Sequence, residues 1–334
     1  MLGARIAIEP AVAQLHSEAH VIDLHNDLLT KMVLRGGDFG RRHGAQAIYN
    51  PLAFDLDLPK IDEGGVDALG CLLFGGMPLM ARQRFWKQLD AFFELLEHHP
   101  RLVQVKTAAD LRAAKMAGKI ALFLGIEGAL PLEKEPQLLE KLAANGVRFF
   151  GLSWNRTNRA AVSAHDKKNP NGLSSFGREL VAACNQLGIL IDVSHASKRT
   201  VSDLIEASRT PVFSSHSACE AIKVHPRNLD DDQLRAIGQR GGVIGVIFAA
   251  NYLSGFFEST VDTLCDHIEH VAAVAGENAV ALGSDFDGFV PLPRGLRDVR
   301  DLPQITQTLW NRGWREPKLK KLLGENFLRY FESL

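Results

Sequence analysis

Short apolar runs rich in Val, Ile, Leu and Phe recur along the chain, each bounded by glycine or polar residues. They are HVIDLHNDLL at 20–29, ALGCLLFGG at 68–76, IALFLGIEG at 120–128, VRFFGLSW at 147–154, GILIDVSH at 188–195, PVFSSHS at 211–217, GGVIGVIFAANY at 241–252 and NAVALGSDFDG at 278–288. Strands covered on both faces of a parallel sheet read this way. Between the runs, apolar residues repeat at three and four. RQRFWKQLDAFFELLEHH at 82–99 does so, as do SSFGRELVAACNQLG at 174–188 and STVDTLCDHIEHVAAVAG at 259–276, which open on Ser and close on Gly. Shorter helices are predicted from Ser197 or Lys198 to about Ser208, and from Asp230 to about Arg240. Strands that alternate with helices predict an α/β fold. Because parallel neighbours need crossovers and eight strands close a sheet, the expectation is a (β/α)8 TIM barrel, a single domain over 1–334.

The ends of these runs carry the candidate chemistry. His25 and Asp27 close the first, Glu127 the third, His195 the fifth and His216 the sixth. Side chains at the C-terminal ends of barrel strands face one mouth, and strand residues two apart share a face, so His25 and Asp27 are expected to project together. Any one of these residues alone reads equally as a satisfied core histidine or an ion-paired carboxylate. Together they are five metal ligands, more than the three that one open zinc site takes from protein. Two metals sharing Glu127 fit better, with His25 and Asp27 on one and His195 and His216 on the other. Such a pair activates a water shared between its members and polarises the scissile carbonyl.

The last run ends in GSDFDG, where Asp285 and Asp287 are again expected to share a face. An acid there suits proton transfer to a leaving amine, or alternatively caps a loop. Arg227, in HPRN after the sixth strand, offers a planar fork for a substrate carboxylate, or alternatively a surface ion pair. Two segments are long and polar enough to rim an active site: Arg35 to Pro59, and Asn155 to Leu173.

Composition limits the partners. A formal net charge of −1 over 334 residues attracts neither nucleic acid nor an anionic membrane. No run approaches the ~20 apolar residues that span a bilayer. The N-terminal stretch is broken by Glu9, Pro10, His16 and Glu18, unlike a secretory signal. Cys71, Cys184, Cys219 and Cys265 are scattered without a CxxC spacing and read as buried, reduced thiols. The expected location is cytoplasmic.

The motifs DLHNDL (23–28), DLPKIDEGGV (57–66), GIEG (125–128), DVSH (192–195), SHS (215–217), HPRNLDDDQL (225–234), GSDFDG (283–288) and GENFLR (324–329) together give a resemblance to the membrane (renal-type) dipeptidases. These are zinc dipeptidases of the amidohydrolase-like barrel group, and the resemblance covers roughly residues 20 to 332. It implies two zinc ions per chain, one on His25, Asp27 and Glu127, the other on Glu127, His195 and His216. It also implies Asp285 as the proton-transferring acid, Arg227 as the anchor of a dipeptide's carboxylate, Tyr252 as a pocket residue, and a homodimer. Where mammalian members carry a substrate-touching histidine in an LTH motif, this chain reads LSWN, so Trp154 replaces it and Asn155 is the candidate stand-in. A related amide or lactam hydrolase acting on a β-lactam or N-acyl amino acid, and a non-catalytic binding barrel, are the alternatives.

Overall fold

The computed structural model describes residues 5–44, 50–75 and 81–332. Among these residues nine strands form one sheet: β1 (Ile22–Asn26), β2 (Ala68–Phe74), β3 (Leu102–Gln104), β4 (Ile120–Glu127), β5 (Val147–Gly151), β6 (Leu190–Asp192), β7 (Ser214–Ser217), β8 (Ile244–Val246) and β9 (Val280–Leu282). All except β3 lie in the order β6-β5-β4-β2-β1-β9-β8-β7. Every pairing between them is parallel. The ring closes where β6 meets the segment entering β7: Asp192 bridges Phe213, the Val193 N–H donates to the Phe213 carbonyl at 2.8 Å, and the Phe213 N–H donates to the Ile191 carbonyl at 3.0 Å. This is the expected (β/α)8 barrel. The additional strand β3 pairs with Ile120–Leu122, ahead of the stretch Leu124–Glu127 that pairs with β5. Three residues, two of them only partly buried, left no apolar run to read.

Helix signals fall where capping chemistry puts them. The Ser174 side chain accepts the Gly177 N–H, and Gly188 ends that helix (Ser175–Leu187) in the left-handed region. Asp230 and Gln233 form a capping box, as do Thr260 and Thr263. Thr260 rather than Ser259 therefore caps the helix Val261–Val274. Ser259 is instead buried, its Oγ 2.8 Å from the carbonyls of both Ala250 and Gly255.

Several strands stop earlier than their apolar runs. After β1 a helix begins at Leu28. Beyond β6 and β9 the chain enters left-handed backbone at His195, Asp285, Asp287 and Phe289, with φ between 60° and 66°. Non-glycine residues there are uncommon and cluster at functional sites. Gly76, at the end of the second apolar run, and residues 45–49 of the first rim segment lie outside the described residues.

Alternation along β4 puts Phe123, Gly125 and Glu127 on one face, and Gly125 has no room for a side chain, since an added Cβ would lie 2.2 Å from the Phe149 ring. Phe123, Phe149 and Phe213 form a chain of rings 5.6–5.8 Å apart, which continues into Tyr330 and the stacked Phe327 and Phe331 of the C-terminal helix. Aromatic packing thus fills the barrel below Glu127, and polar chemistry is confined to the C-terminal ends of the strands.

Candidate metal centre

The five expected ligands converge, by a route different from simple alternation. His25 is in β1, but Asp27 lies past its end, in the N-cap position of the helix Leu28–Arg35. The Asp27 N–H donates to the Phe286 carbonyl at 2.8 Å, while the Asp285 N–H donates to the His25 carbonyl at 3.0 Å. The two strand ends are laced together, and His25, Asp27 and Asp285 bring ligand atoms within 4.8 Å of one another. Glu127, His195 and His216 form a second such group.

Glu127 links the groups. Its Oε1 is 2.8 Å from His195 Nε2, 3.6 Å from His216 Nε2 and 3.9 Å from His25 Nε2. The Nε2 atoms of His195 and His216 are 2.9 Å apart, and the rings of His25 and His216 have centroids 3.6 Å apart. Asp285 Oδ1 is also 3.9 Å from His25 Nε2, as near as Glu127 is.

The electrostatics call for a cation. Burial pushes the Glu127 carboxyl well above its usual range, with Asp27 and Asp285 adding to the effect; burial followed by Asp27 does the same for Asp285. Burial raises Asp27 to about 6. The three imidazoles are driven the other way by burial, well below their ordinary value, and so are neutral donors. His25 Nε2 is buried without a hydrogen-bond partner. Crowded carboxylates beside neutral, inward-facing imidazole nitrogens, one of them unpartnered, are a donor set that fits a divalent metal.

A cavity of about 370 Å³ opens over this cluster, lined by Asp27, Glu127, His195, His216 and Asp285, with Val33, Leu34, Phe74, Trp154, Phe289 and Val290 supplying an apolar wall. Trp154 meets Phe74 edge-on at 4.8 Å. Asn155 lines the cavity, and its Oδ1 lies 2.9 Å from His195 Nδ1. Tyr252 lines it too; Arg227 does not, and its guanidinium lies 5.8 Å from the Tyr252 ring. Arg227 is buried, donates to the His216 carbonyl at 3.0 Å and reaches Ser217 Oγ at 3.5 Å, but its Nε has no partner. It has no carboxylate within ion-pair distance among the described residues. Its direct hydrogen-bond partners are thus neutral, and the nearby carboxylates Glu127, Asp285 and Asp192 act on it only at longer range.

Asp285 and Asp287 do not share a face. Asp285 lines the cavity, whereas Asp287 is fully buried against Asp55. With both residues in left-handed backbone, the strand periodicity that would align them is lost.

Sequence reasoning missed the supporting groups. Thr30 Oγ1 donates to Asp27 Oδ1 at 3.1 Å, and Gln88 both accepts from and donates to the backbone of Phe74. Asp23 takes the Ser284 N–H at 2.7 Å and its hydroxyl at 2.6 Å. Asp192 and Ser215 lie beside the imidazoles of His25 and His216. For Asp23, Asp192, Ser215 and Ser284 the only available signal was a polar residue inside a strand-forming run, whereas Thr30 and Gln88 lie in helices and gave none.

Comparison with known proteins agrees with this geometry. The family model described as Membrane dipeptidase (Peptidase family M19) matches residues 10–334. Dipeptidase 3 of Rattus norvegicus is 33% identical over 253 residues, which are 74% of this chain and 51% of that protein; the chain spans about half the length of this curated relative. A solved dipeptidase of the metallopeptidase class superposes with a TM-score of 0.85 at 26% identity, covering 94% of this chain and 98% of the other. A metallopeptidase from Rhodobacter sphaeroides, bound to a phosphinate mimic of the dipeptide L-Ala-D-Ala, superposes with a TM-score of 0.84 at 25% identity, covering 94% and 99%.

Proposed function

This chain belongs to the membrane dipeptidase family, and we propose that it is a zinc-dependent dipeptidase that hydrolyses the amide bond of short free dipeptides. The observation that carries the reading is the convergence of three neutral imidazoles on the single carboxylate Glu127, with His25 Nε2 left unpartnered. His25, Asp27 and Glu127 would hold one zinc ion, and Glu127, His195 and His216 the other. Bound there, the metals supply Lewis acidity and make water acidic enough to attack at neutral pH.

The chain's own residues do the rest. Asp285 faces the cavity, and its ionised carboxylate would take the proton of the attacking water. As the new C–O bond forms and the C–N bond breaks, the same carboxyl returns that proton to the departing amine. The unpartnered Arg227 Nε and its buried guanidinium support a role in drawing the substrate's terminal carboxylate towards the Tyr252 side of the cavity. Phe74 and Trp154 keep water from the reacting bond, and Asn155 orients His195.

Four buried free thiols support a reducing, cytoplasmic setting; burial pushes Cys219 up to about 12. Among the described residues no helix is long and apolar enough to cross a membrane. The homodimer is part of the same proposal, and sedimentation would test it. The functional test is a panel of free dipeptides, their C-terminal amides, N-acyl amino acids and a β-lactam. It should include L-Ala-D-Ala, whose mimic the Rhodobacter relative binds. Preferential turnover of free dipeptides is expected. Turnover confined to the lactam or N-acyl substrates would replace this reading with the broader amidase one.

A further inference from the structure

The Ser215 hydroxyl, fully buried in β7, touches three groups at once. Its Oγ is 2.5 Å from Asp192 Oδ2, 3.1 Å from His25 Nδ1 and 2.8 Å from His216 Nδ1. A hydroxyl has one proton to give and two lone pairs to accept with, while a neutral imidazole carries a single N–H. Asp192 is arranged as an acceptor, because its Oδ1 already takes the backbone N–H groups of Ser194 and Ser215, each at 2.9 Å. The Ser215 proton therefore goes to Asp192 Oδ2. Both lone pairs of Ser215 Oγ then face Nδ1 atoms, which must each be N–H to fill them.

We infer that Ser215, backed by Asp192, is a positioning residue that sets the tautomer of two metal-site histidines at once. With Nδ1 protonated on both rings, both Nε2 lone pairs are free to face the Glu127 side of the site. The inference rests on the metal-centre reading proposed above. The remaining neighbour, Ser194 Oγ at 3.3 Å, is the longest contact; it accepts the His216 N–H and has Ser214 Oγ at 3.0 Å for its own proton. His25, Asp192 and His216 bring ligand atoms close enough to form a metal site of their own. Ser215 lies among them, however, and both Asp192 oxygens are taken by protein donors, so this trio acts through hydrogen bonds. His195 is held independently, through Asn155.

The inference separates two substitutions that look equivalent. Ser215→Ala removes the acceptor from both Nδ1–H groups. Asp192→Asn does more, because the two backbone N–H groups at Oδ1 force the amide oxygen to stay there and turn the NH2 towards Ser215. The hydroxyl must then spend its proton on one imidazole Nδ1, which moves that ring's own proton to Nε2 and blocks its metal-facing lone pair. Groups that orient a metal-ligating histidine typically contribute 10–100-fold to metal affinity. Zinc affinity of the full chain, measured by competition with a chromogenic chelator, should fall about 10–100-fold in Ser215→Ala and at least as far in Asp192→Asn. Thermal melting of the metal-free proteins reports whether each variant folds. A folded variant of either kind that binds zinc as tightly as wild type overturns the inference. If neither variant folds, nitrogen-15 spectra of the imidazoles in zinc-loaded wild type decide: protons on both Nδ1 atoms are expected, and a metal-bound Nδ1 on either ring overturns it. A wild-type chain that binds no zinc overturns the metal-centre reading and this inference together.

Discussion

Asp55 and Asp287 hold each other across 232 residues: the Asp55 N–H donates to Asp287 Oδ1 at 2.8 Å, and the Asp287 N–H donates to Asp55 Oδ2 at 2.9 Å. Two buried ammonium groups brace the same stretch of chain. Lys31 Nζ donates to the carbonyls of Pro51 and Ala53, and Lys60 Nζ to that of Phe54. The rim segment leading into the helix Leu58–Gly64 is thereby fastened to the loop that carries Asp285. Asp287→Ala leaves the buried Asp55 N–H without its acceptor, a loss of about 1–3 kcal/mol. Asp287→Asn keeps an acceptor and should retain most of the stability. Urea unfolding midpoints compare the two; an Ala variant as stable as wild type would contradict the tie.

Asp285 is the residue expected to carry the proton. Asp285→Asn should leave metal content and melting close to wild type while lowering kcat by ~10²–10⁴-fold. Gly288→Ala tests the same group from outside, since an added Cβ would lie 2.1 Å from Asp285 Oδ1 and displace the carboxylate. Its kcat should fall towards that of the Asn variant. Wild-type turnover in Asp285→Asn would remove Asp285 from the chemistry.

Arg227 should make the enzyme discriminate acid from amide. A C-terminal amide is neutral and cannot accept a charge-assisted pair from the guanidinium. Lys, a point charge without the fork, should restore little. The measurement is kcat/KM for one dipeptide and its amide, in wild type and Arg227→Lys. Equal values for acid and amide in wild type would exclude the anchor.

His16 ties stability to pH away from the site. It is buried, with Nδ1 2.8 Å from Thr306 Oγ1 and Nε2 3.0 Å from the Gly64 carbonyl. Burial lowers its pKa, and the Gly64 hydrogen bond only partly offsets this. The unfolded chain therefore binds the proton more readily, with a pKa of about 6.5. The contribution of neutral His16 is complete above that value and declines as pH falls through it towards the folded pKa, by at most ~1.4 kcal/mol per pH unit. His16→Gln should lose this slope. Melting of both proteins between about pH 7.5 and about pH 5 checks it; parallel curves would contradict it.

The barrel was legible because buried parallel strands leave uninterrupted apolar runs, and the ligands because each stands at the end of one. What could not be read was the backbone after those ends. Nothing in DVSH or GSDFDG announces that His195 and Asp285 turn left-handed, so alternation wrongly paired Asp285 with Asp287. The groups around the ligands were hidden for another reason. Ser215 and Asp192 are 23 residues apart and meet only when β6 and β7 close the ring. Lys31 and Lys60 are fully buried although nothing in their local sequence marks them so, and burial of a lysine is a property of tertiary packing alone.

Two metal ions on one shared carboxylate, as proposed, would make this barrel a dipeptidase. The most direct measurement is hydrolysis of a free dipeptide by metal-free protein titrated with zinc. Activity should be absent at the start and rise to a plateau at two equivalents per chain, and Glu127→Ala should show no such rise. A plateau at one equivalent, or hydrolysis undiminished without metal, would contradict the account.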